Sequence, residues 1–206
     1  MRERPWIDGV RSGDAQAWAR LVREHYARIY RLLAHLTRDR HVAEDLCQET
    51  FASAWAKIAT FAGGAAIGTW LHRIAYRKFL DARRTSQGRP PASMMIEQLP
   101  PTQSDQRDPL SGLLASEQAL AMHAALGRLE EAQRIVIVLH YLQGLSYREM
   151  SAITGEPVGT IKWRTSAAIE RLGVLLTNES SDEPRRNQKS AAALNGDALA
   201  ADPAGA

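Results

Sequence analysis

Three clusters of side chains in this chain have the types and spacing to do chemistry, and in each case that chemistry is recognition. Between Thr69 and Arg84, the cations Arg73, Arg77, Lys78, Arg83 and Arg84 interleave with the rings of Trp70 and Tyr76. Asp81 is the only acid there, so five bases against one acid give +4. Cations on phosphates and rings on bases are how single-stranded nucleic acid is held. The same pattern also arises where Trp70 and Phe79 are core and the bases solvate a helix. A second cluster, Asp45, Gln48 and Glu49, falls on one helix face by its spacings of three and four. It is either an acceptor set for a partner's arginines or an ordinary solvated face. The third cluster follows a tight break at Gly155-Glu156-Pro157 and comprises Thr160, Lys162, Trp163, Arg164 and Arg171. Arg and Lys there can contact phosphates or guanine edges, unless the two helices form a hairpin packed on protein.

Bond-breaking chemistry finds little support. The six histidines form no metal or nucleophile constellation with one another, and the lone Cys47 excludes an internal disulfide or a multi-cysteine zinc site. Gly63-Gly64 lacks the Lys-Ser/Thr of a phosphate-binding loop. No metal or cofactor is expected. No apolar run approaches the roughly 18 residues that span a membrane, and Met1–Pro5 lacks the apolar core of a secretion signal. A cytoplasmic address is therefore the default expectation. The net charge of +3 decides nothing by itself; its distribution says more. His41–Lys57 holds three acids and one strong base, for −2, beside the +4 segment. One face suits a polyanion and the other a basic partner.

These side chains need helices to position them. Trp18, Leu21, Val22, His25, Ile29, Leu32, Leu33 and Leu36 recur at helical spacing. Asp39 can cap a second helix with an apolar stripe of Val42, Leu46, Ala54, Trp55 and Ile58. Phe61–Gly68, with three glycines, predicts a loop, and Trp70, Leu71, Ile74, Ala75 and Phe79 restart the periodicity. No period-two strand appears. Residues 85–112 hold five of the nine prolines and predict a linker, with the odd apolar run Met94-Met95-Ile96 inside it. A second helical block runs over residues 113–176. Within it, Ser146-Tyr147-Arg148-Glu149 is a capping box, Gly155 a helix stop and Pro157 the first turn of the next helix. Ile161, Thr165, Ala168 and Leu172 should face inward. From Thr177 the chain has no aromatics and reads as a disordered tail.

Taken together, these segments resemble an extracytoplasmic-function (ECF) sigma factor of bacterial RNA polymerase. Ala43-Glu44-Asp45-Leu46-Cys47-Gln48-Glu49-Thr50-Phe51 looks like the family's core-polymerase-binding helix. Thr69-Trp70-Leu71-His72-Arg73-Ile74-Ala75, with Asp81 and Arg84, looks like its promoter-melting and −10-reading helix. Gly144–Met150 and Pro157–Arg164 look like the two helices of its −35-reading domain. The resemblance implies an all-α protein with two small helical domains joined by a Pro-rich linker. A region 2-like domain would span 10–84 and a region 4-like domain 113–176, with the linker at 85–112 and the tail at 177–206.

The resemblance also implies that Asp45, Leu46, Gln48, Glu49 and Phe51 hold the polymerase clamp. Thr69, Trp70, Arg73, Tyr76, Arg77, Lys78, Arg83 and Arg84 would serve the −10 element, with an unpaired base captured near the Phe61–Thr69 loop. Arg148, Thr160, Lys162, Trp163, Arg164 and Arg171 would read the −35 element from a domain seated on the flap. The linker would thread the polymerase channel toward the RNA exit path. The implied partners are core polymerase, promoter DNA and an anti-sigma factor, with no catalysis, no cofactor and no membrane insertion. Four residues depart from the family's habit. Arg77 stands where Asn is frequent, Trp163 where a small Ser is frequent, and Gly64 and Ile67 replace more often acidic and aromatic residues. Two other readings compete. An autonomous helix-turn-helix regulator would leave the acidic and aromatic-basic helices without a job. An adaptor that mimics a sigma factor would not need Asp45, Gln48 and Glu49 to bind polymerase.

Overall fold

The computed structural model describes residues 6–61, 63, 66–85 and 109–196, with side chains placed for 8–61, 63, 66–85 and 119–177. The elements are α1 (Trp6–Arg11), α2 (Ala15–Thr37), α3 (Arg40–Lys57), a 3-10 turn (Ile58–Thr60), α4 (Ile67–Thr85), α5 (Pro109–Arg128), α6 (Glu131–Ile137), a π-helical turn (Val138–Leu142), α7 (Tyr147–Thr154) and α8 (Val158–Gly196). The fold is all-α, with no strand among the described residues.

Local chemistry sets the helix ends. The Asp14 carboxylate accepts from the Gln16 amide at 2.8 Å and starts α2. That helix stops at Arg38, whose φ of 58° is left-handed and whose N–H returns to the Ala34 carbonyl. Asp39 follows at once and accepts from the amides of His41 (2.9 Å) and Val42 (3.2 Å), so α3 doubles back with no intervening loop. Leu21, Ile29, Leu32, Leu33 and Leu36 of α2 are buried, as are Ala43, Cys47, Ala54 and Ile58 along α3 and its turn, and Leu71, Ala75 and Phe79 of α4. At the far end Leu145, Met150, Ile153, Ile161, Thr165 and Ala168 bury the inner faces of α7 and α8.

Packing divides the chain differently from the sequence reading. One compact unit joins α1–α4 to the stretch from Glu130 to Ala168. The cause is a set of bonds from α2 and α4 to the second helical block. Arg28 donates to the Gln143 carbonyl, Thr69 to Glu149, and Arg83 pairs with Glu131. In the second unit, which takes α5 through Leu129 and the chain from Ile169, the residues Ala125, Leu126, Leu129, Leu172 and Leu175 are buried.

Several boundaries differ from expectation. Helix α1 precedes the expected start of helical structure and buries Val10 completely. The linker yields Pro109–Gly112 to α5, where proline's missing N–H is no loss at a helix start. Ile67 and Gly68, expected in the loop, open α4. The stretch from Thr177, expected to be unstructured, continues α8 to Gly196. Its Ala191-Ala192-Ala193-Leu194 run favours helix, although Pro184 within the stretch has no N–H to give the helical ladder. The Met94-Met95-Ile96 run and most of the linker lie outside the described residues.

Candidate polymerase and promoter interface

Asp45, Gln48 and Glu49 stand exposed on the outer face of α3, on a helix anchored by its buried side. Leu46 and Phe51 belong to that buried side. They therefore shape the helix and offer no surface to a partner, in contrast to the role the resemblance implies for them. Trp55 departs the other way. Expected on the inward stripe, it is 42% exposed, because it sits at the stripe's margin with its ring edge-on to Trp18 at 5.0 Å. From there a path of rings runs along α2 and α3, through Trp18–Phe51 and Tyr26–Phe51 to Tyr26–Tyr30. Glu49 is not purely outward-looking either, since Lys78 of α4 donates to it at 2.9 Å. The acidic and basic segments, read as separate faces, meet at this bridge. Cys47, beneath the acidic face, has its thiol pushed up to about 12 by burial, which leaves it unreactive.

On α4, Trp70, Arg73, Arg77 and Arg84 share one face at spacings of three, four and seven. Arg73 and Arg77 are exposed, and neither has an ion pair or hydrogen bond among the described residues. Trp70 is half-buried against Phe61, with ring centroids 5.4 Å apart. Tyr76 is half-buried too, and burial raises its phenol. Arg83 is held by Glu131, and Arg84 lies 3.4 Å from Asp81. Thr69 is buried, and its hydroxyl donates to Glu149 Oε1 at 3.2 Å, so it is engaged inside the unit.

Two contributors here escaped the sequence reading. His72 is 1% exposed; its Nδ1 lies 2.7 Å from the Gly68 carbonyl oxygen and its Nε2 3.2 Å from Gln143 Oε1. Burial holds its pKa below 6.5, against the opposing pull of those two hydrogen bonds. The helical period of α4 could have flagged His72 as inward, next to Leu71 and Ala75, but nothing local names Gln143. Arg11 of α1 donates to the Phe61 carbonyl, and its guanidinium lies 5.8 Å from the Phe61 ring centroid. It thus fixes the residue at which the glycine-rich loop begins.

In the helix-turn-helix, the capping box forms as its sequence requires. Ser146 Oγ accepts from the Glu149 amide at 3.3 Å, and Glu149 Oε2 accepts from the Ser146 amide at 2.9 Å. Hydrogen bonds from Ser146 hold the Glu149 carboxyl below its usual range. Gly155 ends α7 at φ 81°, a left-handed stop. Pro157 sits just before α8 instead of in its first turn, its carbonyl accepting the Ile161 amide. Ile161, Thr165, Ala168 and Leu172 are buried as their spacing predicts. On the open side, Arg148, Lys162, Trp163 and Arg171 are exposed, while Thr160 and Arg164 are half-buried. Lys162 lies 5.8 Å from the Tyr147 ring, which itself stacks on His140. Arg164 is tied to Glu156 in an ion pair, so it is less available than its place in the sequence suggests. Among the described residues no group of side chains could hold a metal ion, and no helix is long and apolar enough to cross a membrane.

Residues 21–89 match the family model for sigma-70 region 2, and residues 119–172 match that for sigma-70 region 4. The chain is 34% identical over 174 residues to the ECF RNA polymerase sigma factor SigE of Mycolicibacterium smegmatis, covering 83% of this chain and 67% of that one. It is 32% identical over 166 residues to SigM of Mycobacterium tuberculosis, covering 80% of each. It also resembles the solved structure of the sigma factor RpoE in complex with the anti-sigma factor NepR from Bartonella quintana. The TM-score there is 0.63 at 28% identity, over 79% of this chain and 98% of that chain. The chain belongs to the ECF sigma factors. As an ECF sigma factor it binds core RNA polymerase and directs promoter recognition and transcription initiation. In these terms, the acidic face of α3 and the open cations of α4 are region 2 surfaces, and the helix-turn-helix is region 4.

Proposed function

We propose that this ECF sigma factor engages the polymerase clamp with Asp45, Gln48 and Glu49, the −10 element with the Trp70, Arg73 and Arg77 face of α4, and the −35 element with α8. One observation carries the reading: the acids of α3, the two arginines of α4, and Lys162 and Trp163 of α8 are exposed on three separate helices of one chain, while Leu46 and Cys47 of α3, Leu71 and Ala75 of α4, and Ile161 and Thr165 of α8 are buried. A face kept polar or cationic on a helix anchored by its other side is what recognition by a rigid element needs. Lys78, Tyr76, Arg83 and Arg84 supply additional positive or stacking surface once their internal partners are exchanged for phosphates. The protein has no catalytic step of its own and acts in the cytoplasm, where polymerase works. Control by an anti-sigma factor is supported by its likeness to RpoE, solved in complex with NepR.

In-vitro transcription with bacterial core polymerase on fragmented genomic DNA, with RNA 5′ ends mapped, tests the assignment. Starts that depend on the protein and share an upstream motif pair are expected. Replacing Asp45, Gln48 and Glu49 with alanine should abolish them while the far-ultraviolet helix signal is retained. Dependence unaffected by that triple change would remove the clamp assignment. Duplex binding by the protein alone, with no new starts, would favour an autonomous regulator.

A further inference from the structure

Trp163 is the large apolar side chain left most open among the described residues, at 70% exposure. It lies two positions after the fully buried Ile161, about 200° around α8, and so projects away from the core. It makes no ring or cation contact among the described residues. Gly159, one turn earlier on the same side, has open space where a Cβ would stand. The indole is therefore approachable from its N-terminal flank. An indole kept in water has surface to gain from an apolar partner.

The neighbouring polar groups are already spoken for by simpler chemistry. Lys162 is exposed and suits a phosphate, which positions a helix but carries no base information. Arg164, the side chain on this stretch that could best read guanine, is held by Glu156. What Trp163 adds to these polar contacts is an exposed apolar ring. In the major groove the one apolar feature that distinguishes a base is the thymine 5-methyl group.

We propose that Trp163 determines promoter specificity by packing on the 5-methyl group of a thymine in the upstream element. This rests on the promoter-recognition reading above. The test uses holoenzyme assembled from core polymerase and the full chain on a promoter found by 5′-end mapping. Each upstream thymine is replaced singly by deoxyuridine, which removes the methyl and nothing else. At one or two positions the wild-type holoenzyme should lose about four-fold in promoter affinity, the equivalent of one methyl-sized burial. Trp163→Ala should bind the thymine and uracil templates equally, while assembling with core polymerase as the wild type does, because the side chain removed is exposed. Wild-type indifference to uracil at every upstream thymine, an upstream element without thymine, or an unchanged thymine-to-uracil ratio in Trp163→Ala would each overturn the proposal with promoter recognition intact. Failure of the wild-type holoenzyme to initiate at any promoter would overturn the underlying reading, and this proposal with it.

Discussion

Acidification should weaken the packing of α4 against the π-helical turn through His72. The buried ring has its pKa lowered from 6.5, chiefly by burial and to a lesser degree by the Arg28 charge, while the Gly68 and Gln143 bonds and Glu149 pull the other way. A lowered pKa means that the unfolded chain takes up the proton first. Above about pH 6.5 both states are neutral and the ring contributes no pH dependence. Below it, stability falls by up to about 1.4 kcal/mol per pH unit until the folded ring is also protonated. Between about pH 7.5 and about pH 5.5 the loss has an upper bound of about 1.4 kcal/mol, the cost of withholding one proton from a ring whose ordinary pKa is 6.5. The assay is urea unfolding of the full chain at both pH values, for wild type and His72→Gln. His123 is also lowered by burial and shifts stability in the same direction, so the raw trend is not diagnostic. Glu149 enters only below its ordinary value of 4.5. The difference between the two proteins isolates His72: the variant should lose less stability between the two pH values, by no more than about 1.4 kcal/mol. Equal losses in wild type and variant would refute the assignment of this pH dependence to His72.

Other substitutions separate structural from recognition roles. Gly155→Ala should cost about 1 kcal/mol in thermal unfolding, because its φ of 81° is left-handed although the space around it is open. Gly159→Ala, on ordinary helical backbone with equal room, should be neutral or stabilising by up to about 1 kcal/mol. Leu46→Ala should destabilise by about 2–5 kcal/mol, since it empties a buried site; Asp45→Ala should leave unfolding unchanged and weaken core-polymerase binding in a pull-down titration. Cys47, with its thiol pushed up to about 12, should react with an aromatic disulfide reagent only after urea unfolding; labelling of the native chain within seconds would contradict its burial. Lys78→Ala should tighten core binding by up to about five-fold by releasing Glu49, since an exposed bridge of this kind contributes about 0–1 kcal/mol, and unchanged or weaker binding would show that the pair does not compete with the clamp.

What was legible in the sequence was local. The caps at Asp39 and Ser146, the stop at Gly155 and the inward set Ile161, Thr165, Ala168 and Leu172 depend on bonds and periods within about one to three turns, which residue spacing encodes directly. Two further features were misread at the margin of a period. Trp55 and Val42 sit where an apolar stripe meets solvent; Leu46 is inward as its spacing predicts, and only the family motif, which joins it and Phe51 to exposed acids, suggested otherwise. Contacts between distant segments left no trace in local spacing. His72–Gln143 spans 71 positions, Thr69–Glu149 spans 80 and Arg11–Phe61 spans 50. Helix α1 is too short for its period to register, and its burial of Val10 depends on the neighbours it meets.

The same long-range contacts change what the charge pattern means. A +4 segment and a −2 segment suggest two faces waiting for two partners. Three of the α4 cations instead have carboxylates of their own: Lys78 with Glu49, Arg83 with Glu131, and Arg84 with Asp81. Pairs at this degree of exposure are worth about 0–1 kcal/mol each, so they order the side chains without committing them. A phosphate that arrives with release of its counterions can displace a carboxylate held that weakly. On the proposed assignment, Arg73 and Arg77, which have no such partner among the described residues, would make first contact, with Lys78 and Arg83 a reserve exchanged afterwards. That exchange would free Glu49, leaving acid on the face proposed for polymerase as base moves to DNA. Engagement of promoter and of polymerase would, on that assignment, be coupled through Lys78 and Glu49.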